Sequence, residues 1–147
     1  MIPPDTSANK TPNAAAPEVE KGGGVMRIWR AFFYSMEGLH ACFKLEAAFR
    51  QEVYLAAVLL PLAIILPLPI LAKLWLISSI FIVLITEMLN SAIEWVVDLA
   101  AKERHLYAKR SKDMGSAAVF LSLCHLGIAW VLILCANWHG LKDWLGL

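Results

Sequence analysis

A chain of 147 residues, 59% of them hydrophobic and with a mean hydropathy of +0.62, is too apolar for a soluble domain of its size and too short for more than one domain. A net charge of +1 leaves no globally basic surface, so no nucleic-acid partner is expected. The three cysteines form no CxxC and no Cys/His metal spacing; Cys124 and Cys135 in an apolar run and Cys42 in an aromatic-rich stretch read as small apolar fillers.

Residues 1–25 hold four prolines and the run Gly22-Gly23-Gly24 and read as a disordered extension. The opening residues lack a cleavable signal pattern, so insertion is expected to be directed by an uncleaved span. Over about 26–48, Trp29, Phe32, Phe33, Met36, Leu39 and Phe43 recur at helical spacing opposite Arg27, Arg30, Tyr34, Glu37 and Lys44, which predicts an amphipathic helix at the membrane interface. Residues 53–71 carry no charge and predict a first span, with Pro61, Pro67 and Pro69 kinking it or ending it early near Leu66. A second span is predicted over 74–98 and a third over 114–138, the latter opening on Gly115-Ser116-Ala117-Ala118, a small set that permits close helix approach. Residues 139–147 read as a short tail. The expected fold is therefore an all-α membrane protein with one surface helix and three transmembrane helices.

Orientation follows from the basic residues. Six precede the first span (Lys10, Lys21, Arg27, Arg30, Lys44, Arg50), five lie between the second and third (Lys102, Arg104, Lys109, Arg110, Lys112), and only Lys73 and Lys142 fall on the other side. The N-terminus is expected to be cytoplasmic and the C-terminus outside.

The second span contains Glu87, Ser91 and Glu94, with Asp98 at its end and Asn90 beside them, all on one helical stripe. A carboxylate at mid-membrane costs about 2.5–3.5 kcal/mol, so this stripe must face protein or water. It suits a buried seam between subunits, a proton or ion path, or a catalytic site. Glu87 and Glu94 stand about 10.5 Å apart along the helix, too far to share one ion or one proton, so separate tasks are expected. Magnesium in phosphoryl transfer takes one or two carboxylates plus phosphate oxygens. Glu46 and Glu52 are candidates for a second carboxylate near Glu94, and Glu103, His105, Lys112 and Asp113 form a rim where a nucleotide could dock.

The segments Glu46-Ala-Ala-Phe-Arg-Gln-Glu52, Glu87-Met-Leu-Asn-Ser-Ala-Ile-Glu94 followed by Val-Val-Asp98, and Lys112-Asp-Met-Gly-Ser-Ala-Ala118 closely resemble the prokaryotic diacylglycerol kinase family, over about Arg27 to Trp138. The resemblance implies a homotrimer with active sites shared between subunits in the bacterial inner membrane. It also implies Mg2+- and ATP-dependent phosphorylation of diacylglycerol to phosphatidic acid, on a fold unrelated to soluble kinases. Carried over by motif, Glu87 is the general base, Glu46 and Glu94 hold magnesium, and Asn90, Lys112 and Asp113 complete the catalytic set. ATP would meet Arg27, Tyr34, Glu46, Glu94, Glu103, Arg104, His105, Lys112 and Asp113. The lipid would meet Arg27, Ala31, Ser35, Ala48, Glu52, Glu87, Ser116 and Trp130. The alternatives are an undecaprenol kinase of the same fold, or a non-enzymatic oligomeric channel or adaptor.

Overall fold

The computed structural model describes residues 24–100 and 105–146, and every regular element among them is helical: α1 (Gly24–Leu45), α2 (Ala47–Ile65), α3 (Ile70–Ala100), α4 (Leu106–Ala136) and α5 (Trp138–Leu145). Three of these, α2, α3 and α4, are long and apolar enough to cross a membrane. The expectation for residues 1–23 lies outside the described residues; Gly24 and Val25 are the first residues of α1.

The chain divides at Ser35 into two compact units. In the described part of the first, Trp29, Phe32 and Phe33 form an aromatic cluster, with the Trp29 and Phe33 rings edge-on at 5.2 Å. Ser35 folds back to donate to the Ala31 carbonyl at 2.8 Å.

In the second unit α3 packs most extensively on α4 and to a lesser degree on α2. The connection between α1 and α2 is one residue, Glu46, in an extended conformation. Arg50 closes this corner by donating to the carbonyls of Phe43 (3.2 Å) and Lys44 (3.0 Å), which the end of α1 leaves without helical partners. Helix α2 begins six residues before the charge-free stretch and stops at Ile65, because Pro67 disfavours helical backbone at Leu66, which adopts φ −56°, ψ 138°. Across the turn, Lys73 donates to the Ile64 carbonyl at 2.6 Å.

Helices α3 and α4, of 31 residues each, are about 46 Å long and so outrun a core of roughly 30 Å. The extra turns of α4 precede Met114: His105 caps the helix by accepting from the Tyr107 N–H, and Lys109 pairs with Asp113 one turn on. The expected C-terminal tail is largely helix α5, which ends on Gly146 in the left-handed conformation that favours glycine.

The core changes character along its length. Ala56, Ala63, Leu66, Leu68, Leu76, Ile80, Val83, Leu126, Trp130 and Leu141 form one apolar cluster. Beyond Val83 the buried residues of α3 are Glu87, Asn90 and Ser91. Large apolar side chains such as Val58, Ile64, Ile85, Phe120 and Leu132 point outward, as expected of surfaces solvated by lipid or covered by another subunit. Leu76 is fully buried in the apolar half, and Leu76→Ala is expected to cost about 2–5 kcal/mol through the cavity it leaves. Thermal unfolding in detergent micelles, followed by helical circular dichroism, should show a lowered midpoint with unchanged native helix content.

Candidate active site

One face of α3 gathers the polar residues. Glu87 is 4% exposed, Asn90 and Ser91 are buried, Glu94 is partly buried and Asp98 is exposed, so the stripe grades from interior to rim. From α2, the buried Glu52 lies close enough to Glu87 for their charges to interact, and Glu87 in turn feels Glu94 and Glu46. Four carboxylates therefore act on one another along this stretch of α3, although among the described residues no three of them gather closely enough to hold one ion.

Each outer carboxylate has a neutral donor of its own. Asn90 donates through Nδ2 to Glu94 Oε1 at 3.3 Å, and Trp95 donates through Nε1 to Glu46 Oε1 at 2.7 Å. The remaining oxygen of Asn90, Oδ1, and Oε2 of Glu52 are buried with no hydrogen-bond partner among the described residues. Asn90 fits because position 115 is glycine: a Cβ there would overlap Asn90 Oδ1. Cys42, at the end of α1, completes the wall beside Ser91. Burial pushes its thiol up, and the nearby charges of Glu46, Glu87 and Glu52 add to this against a hydrogen bond with Ser91, so the thiol stays neutral at pH 7. Cys42 is thus a small, buried, neutral residue beside the acidic cluster, whereas Cys124 and Cys135 lie on the exterior of α4.

At the rim, Lys112 of α4 bridges to Asp98 at 2.6 Å and also feels the charge of Glu94. Asp113 is held by Lys109 at 2.7 Å. On the other side of Glu87, an apolar groove of about 420 Å³ is lined by Phe43, Phe49, Val53, Phe81, Leu84 and Met88, among others. Such a site presents acceptors for a cation and for a proton at its centre, a cation at its rim, and apolar surface at its flank.

The structure thus brings together Glu46, Glu52, Glu87, Asn90, Glu94 and, at the rim, Lys112, whereas Asp113 is exposed and paired with Lys109 on its own helix. Ala48 and Ser116 are exposed, on α2 and α4. Trp130 is buried in the apolar cluster with its indole nitrogen unpartnered among the described residues, and His105 acts as the cap of α4. Arg27, Ala31, Tyr34 and Ser35 lie on the first unit, and Glu103 and Arg104 lie outside the described residues. Trp95 escaped the sequence reading; the available signal was an indole donor directly after an intramembrane glutamate.

The prokaryotic diacylglycerol kinase family matches residues 33–134. The chain is 44% identical over 110 residues to a diacylglycerol kinase of Haemophilus influenzae, covering 75% of this chain and 93% of that one. It is 45% identical over 111 residues to the diacylglycerol kinase of Pseudomonas aeruginosa (76% and 90% covered) and 42% identical over 114 residues to that of Escherichia coli K12 (78% and 93% covered).

The contact between Gly115 and Asn90 can be tested by stability alone. Gly115→Ala is expected to cost about 1–3 kcal/mol by overpacking against the amide. In an Asn90→Ala background the same substitution should cost much less, because the overlapping oxygen is gone. Additive losses of thermal midpoint in the double variant would show that the two positions do not meet.

Proposed function

Since the chain belongs to the prokaryotic diacylglycerol kinase family, we propose that it transfers the γ-phosphoryl group of ATP to the free hydroxyl of diacylglycerol, releasing phosphatidic acid and ADP. The observation that carries the reading is the buried carboxylate of Glu87 one residue before Met88, which lines the apolar groove. A lipid whose acyl chain lies along that groove would present its hydroxyl to a base that bulk water does not reach. Glu87 accepts the hydroxyl proton as the lipid oxygen forms its bond to the γ-phosphorus and the bond to the ADP oxygen breaks. Glu52, Ala48 and Ser116 are assigned to the lipid side.

Glu94 and Glu46 serve the nucleotide side. Among the described residues no three His, Cys, Asp or Glu side chains gather as a self-sufficient metal cage. Two carboxylates, Glu46 and Glu94, are a donor set that fits Mg2+, which takes one or two carboxylates and completes its shell with water and phosphate oxygens. Glu46 and Glu94 each have one oxygen engaged by a neutral donor and the other without a hydrogen bond among the described residues. When bound there, the ion offsets charge on the transferred group. Asn90 orients Glu94, and Lys112, already near Glu94, adds positive charge beside the phosphates, with Asp113 next to it.

We assign the protein to the bacterial inner membrane as a homotrimer with sites shared between subunits, the N-terminus cytoplasmic and the C-terminus periplasmic. Support comes from the eleven-to-two distribution of Lys and Arg and from the outward apolar surfaces of α2, α3 and α4. ATP then reaches Glu94 from the cytoplasm, while the lipid enters sideways from the bilayer toward Glu87.

Mixed micelles with labelled ATP and a panel of diacylglycerol and undecaprenol test the reaction. Phosphorylation of undecaprenol alone would overturn the acceptor. Two substitutions test the roles. Glu87→Gln is expected to retain nucleotide binding and lose roughly 10²- to 10⁴-fold in turnover, since an amide cannot take the proton. Glu94→Gln should instead raise the Mg2+ and MgATP requirement. Equal loss of nucleotide affinity in both would remove the division of labour, and loss of assembly without a kinetic defect would make the stripe a structural seam.

A further inference from the structure

We propose that Trp95 is a positioning residue for the nucleotide side of the site, its indole N–H fixing the carboxylate of Glu46 on α3. The inference rests on the reading of Glu46 as a metal-facing carboxylate. Glu46 occupies the corner between α1 and α2 at the position where a side chain would ordinarily cap the new helix, yet it makes no capping hydrogen bond to α2. Its carboxylate is turned instead across to α3, where Trp95 Nε1 meets Oε1 at 2.7 Å, a length expected of a hydrogen bond to an ionised acceptor. This hydrogen bond spans 49 positions of the sequence.

Packing within the chain does not account for the tryptophan. Trp95 is 47% exposed and does not belong to the apolar cluster. It directly follows Glu94, about 100° further round the helix, so one turn of α3 supplies Glu94 itself and, through the indole, holds Glu46. The two carboxylates are secured in parallel: Asn90 donates to one and Trp95 to the other. An indole N–H donates without accepting, so it can hold one carboxylate oxygen and leave Oε2 available to a cation. Donors of this kind commonly govern metal affinity through the ligands they orient.

The test is Trp95→Phe in the full-length protein in nanodiscs, which removes the N–H and keeps an aromatic ring. Mn2+ binding in the presence of a non-hydrolysable ATP analogue, read by electron paramagnetic resonance, is expected to weaken by roughly tenfold. The Mg2+ concentration for half-maximal activity should rise by a similar factor, with the KM for diacylglycerol and the thermal midpoint unchanged. Glu46→Gln should also weaken Mn2+ binding, and adding Trp95→Phe to it should weaken binding no further. Wild-type Mn2+ affinity in Trp95→Phe, with Glu46→Gln impaired, overturns the positioning role alone. Wild-type affinity in both overturns the metal-facing role of Glu46 and the inference with it. A fall in thermal midpoint and a rise in lipid KM matching the loss of Mn2+ affinity would make the ring a structural element and overturn the proposal.

Discussion

Burial of the Glu87 carboxylate within a helix long and apolar enough to span a membrane is the constraint on which the rest of this fold depends. An ionisable group in that position is tolerated only where protein or water surrounds it. Glu52 on α2 and Asn90 and Ser91 on α3 share its interior, and Gly115 on α4 lets the helices come close enough for an amide to fit between them. The apolar cluster from Ala56 to Leu141 then carries the packing that this polar section cannot provide. The bundle divides its core lengthwise: one part contributes burial of apolar side chains, the other contributes chemistry.

The segment Glu46 to Glu52 shows how a short motif performs several physical tasks at once. Glu46 is the single non-helical residue at the corner, Phe49 anchors the start of α2 at 3% exposure, Arg50 satisfies the last carbonyls of α1, and Glu52 enters the buried acidic cluster. Their order follows from helix geometry. Phe49 and Glu52 lie three apart and so face the same side, toward α3, while Arg50 reaches back along the chain. The corner that joins α1 to the first span is therefore also the device that delivers two carboxylates to the site.

What could be read from the sequence was whatever repeats with the period of a helix or is costly to place in a membrane. The stripe Glu87, Asn90, Ser91, Glu94 satisfies both conditions, and Pro67 marks the end of α2 through backbone sterics alone. The start of α2 was hidden because counting charge-free residues treats Glu52 as a boundary, whereas burial against α3 allows it inside the helix. The early turns of α4 were hidden because a mixed-charge stretch with a cap and an i,i+4 pair looks like a loop until the helix is seen to outrun the bilayer. Gly115 was legible as a small residue, but its reason, the Asn90 amide, is a tertiary fact. Trp95 was missed for the opposite cause: its place after Glu94 was visible, but an aromatic near the end of a span is ordinarily an interfacial anchor, and only its partner Glu46 distinguishes it.

The gradient along α3 also suits the proposed reaction, whose two substrates are of opposite character. Near Phe81 to Met88 its neighbours form an apolar groove, at Glu87 to Glu94 it is acidic with neutral donors holding the outer carboxylates, and at Asp98 it meets Lys112. An acyl chain is compatible only with the first zone, and polyphosphate only with the last, where a cation is present and solvent screens repulsion from the glutamates. On the proposed reaction the lipid hydroxyl lies where the two zones meet. With a rise of about 1.5 Å per residue, Glu87 and Glu94 stand about 10.5 Å apart along the helix, so on the proposed reaction one serves the hydroxyl and the other the nucleotide. Seven residues are close to two full turns, so moving either carboxylate by one position would turn it about 100° off the shared stripe and away from the partners it has there.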